Sequence, residues 1–209
     1  MDCVGADDRR HFYLVRFGVG GLSGCLRGLM PSEWNIGYAR WIIDDGEPER
    51  EVGECFRWFA IEFWATNPLT KSAARLRSVS GGANYSYRVV AEVVHVSANA
   101  AVIDFGLRAV GQSKLLPTGF KPGEYVTGDI NLSFPLCTDI LPDDVIESMT
   151  HEWAIKHIVA DLTPYRPGDE TNSWFVRDEQ RVAYEDVKST REKLANSYIL
   201  QCEQKQVVE

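Results

Sequence analysis

The stretch Tyr85–Val96, YSYRVVAEVVHV, does most to narrow what this chain can fold into. Tyr85, Tyr87, Val89, Ala91 and Val93 alternate with Ser86, Arg88, Val90, Glu92 and Val94. A period of two sets a wholly apolar face against a mixed one, as a half-buried strand requires. The small polar run Ser97–Ala100 then turns the chain. The next run, AVIDFGLRAV (Ala101–Val110), returns as a strand, with Val102, Asp104 and Arg108 on one face and Ile103, Phe105 and Leu107 on the other. The Pro/Gly-rich Leu115–Gly123 is a turn region. Glu124–Phe134 reads as a third strand, with Gly128 marking a bulge or a bend.

Strand character dominates elsewhere too. His11–Phe17, Gly37–Ile43 and Cys55–Trp64 are dense in aromatic and β-branched residues, which suit a pleated, half-buried surface. Gly37–Ile43 and Cys55–Trp64 are expected to pair as a hairpin around the turn Asp44–Glu49. His151–Tyr165 is expected to be a strand that alternates at Trp153, Ile155, His157 and Val159; Arg181–Val187 and Tyr198–Gln204 complete the set. Helix is expected only in short pieces. One is Pro142–Thr150, where Asp143 and Asp144 favour the start; the other is two turns over Lys71–Ser78. Thr66–Asn84 is the best boundary or long connection. The fold class that follows is all-β, or mainly β, with antiparallel sheets. A chain of 209 residues is long enough to bury a sizeable core.

The formal net charge is −8. An acidic surface repels phosphate backbones and anionic membranes, so neither nucleic acid nor a membrane is the expected partner. It favours a basic protein, because complementary potential speeds encounter. Oligomeric state is not legible. The five cysteines are widely spaced and odd in number, with no C-x-x-C, so they read as reduced thiols of a cytoplasmic protein. The first ten residues hold no apolar core of a secretory signal.

Familiar chemical motifs fail on spacing. Phe17–Gly24 lacks both G-x-G-x-x-G and the Gly-Lys-Ser/Thr of a phosphate loop. Asp104-Phe105-Gly106 stands without the other kinase elements, and Asp104 reads as a polar residue on a strand's outer face. His151 and His157 are six apart rather than four, and on a strand lie about 20 Å from each other, too far to share a metal. No G-x-S-x-G elbow occurs. The expectation is a protein without enzymatic activity, cofactor or metal.

The order of Tyr85–Phe134 resembles an S1-type OB-fold barrel, through Ala91–Val96, the V-I-D-F-G of Val102–Gly106, and Lys121–Ile130. More loosely, Tyr85–Cys202 looks like uncharacterised bacterial β-rich proteins. The resemblance implies an OB-like barrel in residues 81–209, against which an N-terminal β region, 1–80, packs, or one compact unit of both. Two binding surfaces follow as expectations. Asp44, Asp45, Glu47 and Glu49, with Trp34 and Trp41, make an acidic, aromatic-edged surface for a protein partner, as in an immunity or antitoxin-like protein. Under the alternative, single-stranded nucleic acid lies along Arg75, Arg77, Arg88 and Arg108.

Overall fold

The structure is a computed structural model that describes residues 31–134, 141–168 and 175–205. The predicted strand His11–Phe17 and the glycine-rich Phe17–Gly24 lie outside these residues. Strand β1 (Glu33–Ala39) leads into helix α1 (Arg40–Asp44), followed by β2 (Cys55–Trp58), β3 (Ile61–Trp64), β4 (Thr70–Lys71) and β5 (Ser78–Gly81). Then come β6 (Ser86–Val96), β7 (Ala100–Asp104), β8 (Arg108–Gln112) and β9 (Tyr125–Ser133). Helix α2 (Asp143–Glu147) precedes β10 (His151–Asp161), β11 (Tyr165–Pro167), β12 (Phe175–Arg177), β13 (Tyr184–Val187) and β14 (Ser197–Lys205). Among the described residues the protein is mainly β with two short helices, the class its sequence implies.

Four local expectations are corrected. Gly37–Ile43 stops being a strand at Ala39, because adjacent Ile42 and Ile43 are both buried; successive strand residues would point to opposite faces. Cys55–Trp64 breaks at Phe59–Ala60 into β2 and β3, which serve different parts of the sheet, and the hairpin with Gly37–Ile43 does not form: β1 pairs with β14 instead. Lys71–Ser78 is not helical. Ala101–Val110 is two strands, not one. Gly106, at φ +106°, turns the chain back, and the Asp104 carboxylate accepts a hydrogen bond from its N–H at 2.9 Å. That local bond is one for which Asp is suited in turns. A smaller correction concerns β10, where the register slips between Ile155 and His157. The extra residue, Lys156, moves burial from Trp153 and Ile155 to Ile158 and Ala160, as a bulge does. Gly128 is no bulge, since the β6–β9 register runs unbroken through it; its missing Cβ makes room for Leu69.

Five strands close into a barrel. β6, β7 and β8 form an antiparallel meander; β8 runs parallel to β3; β3 is antiparallel to β9; and β9 returns to β6 from Ser86↔Asn131 to Glu92↔Tyr125. Closure satisfies the edge hydrogen bonds that an open sheet would leave unpaired. Phe63, Val89, Ile103, Ile130 and Leu132 are fully buried on the core side. The opposite face of β7 and β8, at Ala100, Val102 and Val110, is covered by Leu141 and Met149 around α2, so β7 is buried on both sides.

A second antiparallel layer, β1–β14–β10, joins the barrel through β9, where Gly37 pairs with Ser133. The outer edge of β10 is shared, β2 covering its first half and β13 its second. One apolar cluster runs through both layers: Trp34 of β1 packs on Tyr87 and Phe105 of the barrel, with ring centroids 5.6 and 5.7 Å away.

Gly111 in β8 tests the packing. A Cβ there would lie 2.6 Å from the Phe63 ring and 2.8 Å from the Phe63 carbonyl oxygen. Phe63 is fully buried and has nowhere to go. Gly111→Ala is expected to cost about 2–3 kcal/mol and to lower Tm by about 5–10 °C, read by thermal unfolding.

Candidate functional site: an aromatic groove at the barrel seam

The groove forms where β9 changes partners. β6 leaves β9 at Ser86↔Asn131, and β1 takes over the same edge at Gly37↔Ser133. On the other edge β3 pairs Glu62 with Ser133. Glu62, Ser133 and Gly37 therefore stand in a row across three strands, and register partners share a face. Ile61 and Phe63 point into the core, so Glu62 and Trp64 point out. Gly37 has no side chain to fill its place in the row, and the Tyr85 ring lies there instead, 3.6–3.7 Å from where a Cβ would be.

Tyr85 reaches that position from a strained turn. Gly81, Gly82, Asn84 and Tyr85 all have positive φ, +56° at Tyr85. A bulky residue rarely adopts such a conformation, which persists only when the surroundings over-determine it. Asn35 of β1 does so: its amide donates to the Gly82 carbonyl at 2.6 Å, its N–H donates to the Tyr87 hydroxyl at 2.7 Å, and its carbonyl accepts from that hydroxyl at 3.2 Å. Burial pushes the Tyr87 phenol up to about 12, against the lowering effect of its hydrogen bond with the Asn35 backbone, so it stays protonated.

The result is an open-sided groove of about 280 Å³. Its aromatic walls include Trp41 of α1, Trp64 and Tyr85, and its floor carries Glu62 and Ser133. Trp41 and Trp64 are 55% and 43% exposed, and the Trp64 and Tyr85 rings meet at 6.4 Å and 47°. Burial pushes the Glu62 carboxyl above its ordinary value. Among the described residues no lysine or arginine lines the groove, and Glu62 has no hydrogen-bond or ion-pair partner. No protein-family model matches this chain, and neither a curated protein nor a solved structure does.

The sequence-predicted acidic set divides around this groove. Trp41, Asp44 and Asp45 share the exposed side of α1, three and four residues apart. Asp44 pairs with Arg40 at 3.0 Å. Glu47 is half-buried in the loop after α1. Glu49 is occupied in holding the loop, taking hydrogen bonds from Arg40 at 3.3 Å and from the Thr190 hydroxyl. Trp34, 1% exposed, is a core residue and no part of a docking surface. The sequence reading missed Glu62, Trp64 and Tyr85 as a group. Its available signals were Gly37 inside a strand, which marks a close approach, and the Gly-Gly-Ala-Asn turn before Tyr85.

The four arginines do not line one open groove. Arg77 and Arg108 converge on Asp104, at 2.6 and 3.4 Å, and Arg77 lies 4.0 Å from Glu92. Arg88 pairs with Asp129 at 3.1 Å on the barrel exterior, and Arg75 is exposed. Asp104 is 8% exposed, not a residue of an outer face. Burial pushes its carboxyl up, but the Gly106 N–H and the two guanidinium groups outweigh that and hold it below the usual range. Of the histidines, His157 faces Asp186 at 3.2 Å, while burial and nearby Arg108 lower the pKa of His151. No group of three potential metal ligands occurs among the described residues.

Two outcomes follow. A carboxyl whose pKa is depressed by folding contributes stability above its unfolded value, about 4, and loses it as pH falls through the folded value. Asp104→Asn is therefore expected to lower stability at pH 7 by about 1–2 kcal/mol, less than a sealed ion pair because both arginines are partly solvated. It should also flatten the acid-side decline below about pH 5, read by urea unfolding across pH. Separately, Trp34→Ala should cost about 3–5 kcal/mol and Trp41→Ala less than about 1 kcal/mol in the same assay, since only the first empties core volume.

Proposed function

We propose that this chain is a non-enzymatic binding protein that docks a basic protein on the acidic, aromatic-edged surface around α1, in the manner of an immunity or antitoxin-like protein of a bacterial cytoplasm. The observation that carries the reading is Trp41 on the wall of a groove that is also lined by Glu62 and, among the described residues, by no cation, with Asp44 and Asp45 exposed on the same short helix and its C-cap. Exposed Trp anchors dominate binding energy at interfaces, and surrounding like charge steers an oppositely charged partner to them. A net charge of −8 acts in the same direction over longer range.

A second reading is supported by the barrel circuit. A meander closed through one parallel pair, β8 with β3, resembles an OB barrel whose last strand precedes the others in the chain. The segments that carried the S1-type resemblance fall in β6, in β7 with its turn, and in β9 with the turn before it. Such barrels bind single-stranded nucleic acid on aromatic platforms beside a basic groove. Trp64 and Tyr85 would serve as platforms, but Arg77, Arg88 and Arg108 are neutralised by carboxylates.

Affinity capture from a bacterial lysate of the source, with wild type and a Trp41→Ala/Asp45→Lys variant side by side, separates the two. A basic protein recovered in stoichiometric amount by wild type and lost from the variant is the expected result. Recovery of RNA or DNA by both would replace docking by the second reading, and recovery of neither would end both.

A further inference from the structure

A half-buried carboxylate with no partner is costly, because it has lost water without gaining a counter-ion. Among the described residues Glu62 is in that position on the groove floor. Around it stand aromatic faces, which attract cations through the ring quadrupole, Trp most strongly. Two of them, Trp41 and Trp64, are open to solvent, and the third, Tyr85, is held in place at the expense of a left-handed backbone. Strain retained at one point of a surface calls for a ligand more than for packing, since a relaxed turn would bury the same ring elsewhere. The walls are tilted rather than parallel, at 47° for Trp64 and Tyr85, which suits a compact ammonium better than a flat guanidinium slot. The volume of about 280 Å³ accepts one such side chain with its alkyl stem along the aromatic rings.

We propose that the groove is a receptor for a single lysine-type ammonium, bare or methylated, projecting from the docked partner, with Glu62 as its counter-ion and Trp41, Trp64 and Tyr85 as its walls. This rests on the reading of the α1 surface as a docking site for a basic protein and names the anchor of that partner. Asp45, exposed just past α1, supplies attraction before contact, Asp44 being paired with Arg40; Glu62 and the rings supply the grip after it.

The probe is Nα-acetyl-trimethyllysine methylamide, with its unmethylated lysine form and the uncharged norleucine analogue beside it. Tryptophan fluorescence and backbone amide shifts of the full chain are followed during titration. Both cations are expected to saturate and norleucine not to. Glu62→Gln and Trp64→Ala should each weaken the cations about tenfold or more. Both variants replace atoms outside the apolar core, and equal thermal midpoints with wild type establish that they fold. Absence of saturation by either cation, or unchanged affinity in both variants, overturns the cage. Failure of the docking reading looks different: the cations saturate and depend on Glu62, but no basic protein is recovered from lysate. If instead the basic protein is recovered and lost on changing Trp41 and Asp45, yet is indifferent to Glu62→Gln, docking stands and the ammonium receptor falls.

Discussion

Strand β9 carries the architecture because both of its edges are used, each by more than one partner. One edge takes β4 and then β3, and the other takes β6 and then β1. Backbone N–H and C=O groups taken from water must be paired, so a strand in this position fixes where four others lie. Closure of β6 on β9 makes the barrel. Transfer of the same edge from β6 to β1 attaches the second layer. Gly128 and Gly111 are the packing conditions of this arrangement, since Leu69 and Phe63 occupy the spaces their side chains would need.

The groove is a by-product of that transfer. Two strands cannot occupy one edge at one point, so β6 must leave before β1 begins, and the chain entering β6 has to cross over β1. Gly37 leaves room for the crossing, Asn35 pins it, and Tyr85 is what crosses. Glu62 reaches the floor only because β3 is a barrel stave. The candidate site thus belongs to neither layer alone: Glu62 and Trp64 come from β3, and Trp41 comes from α1, which continues β1 in the chain.

Elsewhere the charged groups mostly neutralise one another. Asp104 gathers Arg77 and Arg108 at the β7–β8 turn, and Asp161 gathers Arg177, whose guanidinium also donates to Thr163 and Tyr184. Arg50, buried at 5% exposure, lies over the Phe56 ring at 4.3 Å and pairs with Glu54. Against this background of satisfied pairs, a half-buried carboxylate among aromatic faces stands apart, and that contrast, more than net charge, directs attention to Glu62.

The period-two alternation of Tyr87–Val93 determined a strand by itself, because local sterics and a one-sided core leave little else for such a pattern; Tyr85, read as its first residue, belongs to the turn before it. Tyr125–Ser133, the start of α2 at Asp143 and Asp144, and the mainly β class were legible for the same local reasons. The breaks were not. Phe59–Ala60 between β2 and β3 and the extra Lys156 in β10 each depend on which distant strand lies alongside, and no local propensity encodes that. The acidic run at Asp44 and Asp45 was visible as composition. The burial of Trp34, the exposure of Trp41, and the meeting of Glu62, Trp64 and Tyr85 at Gly37 were decided only by register across β1, β9 and β3, because side-chain neighbours in a sheet are set by pairing and not by sequence separation.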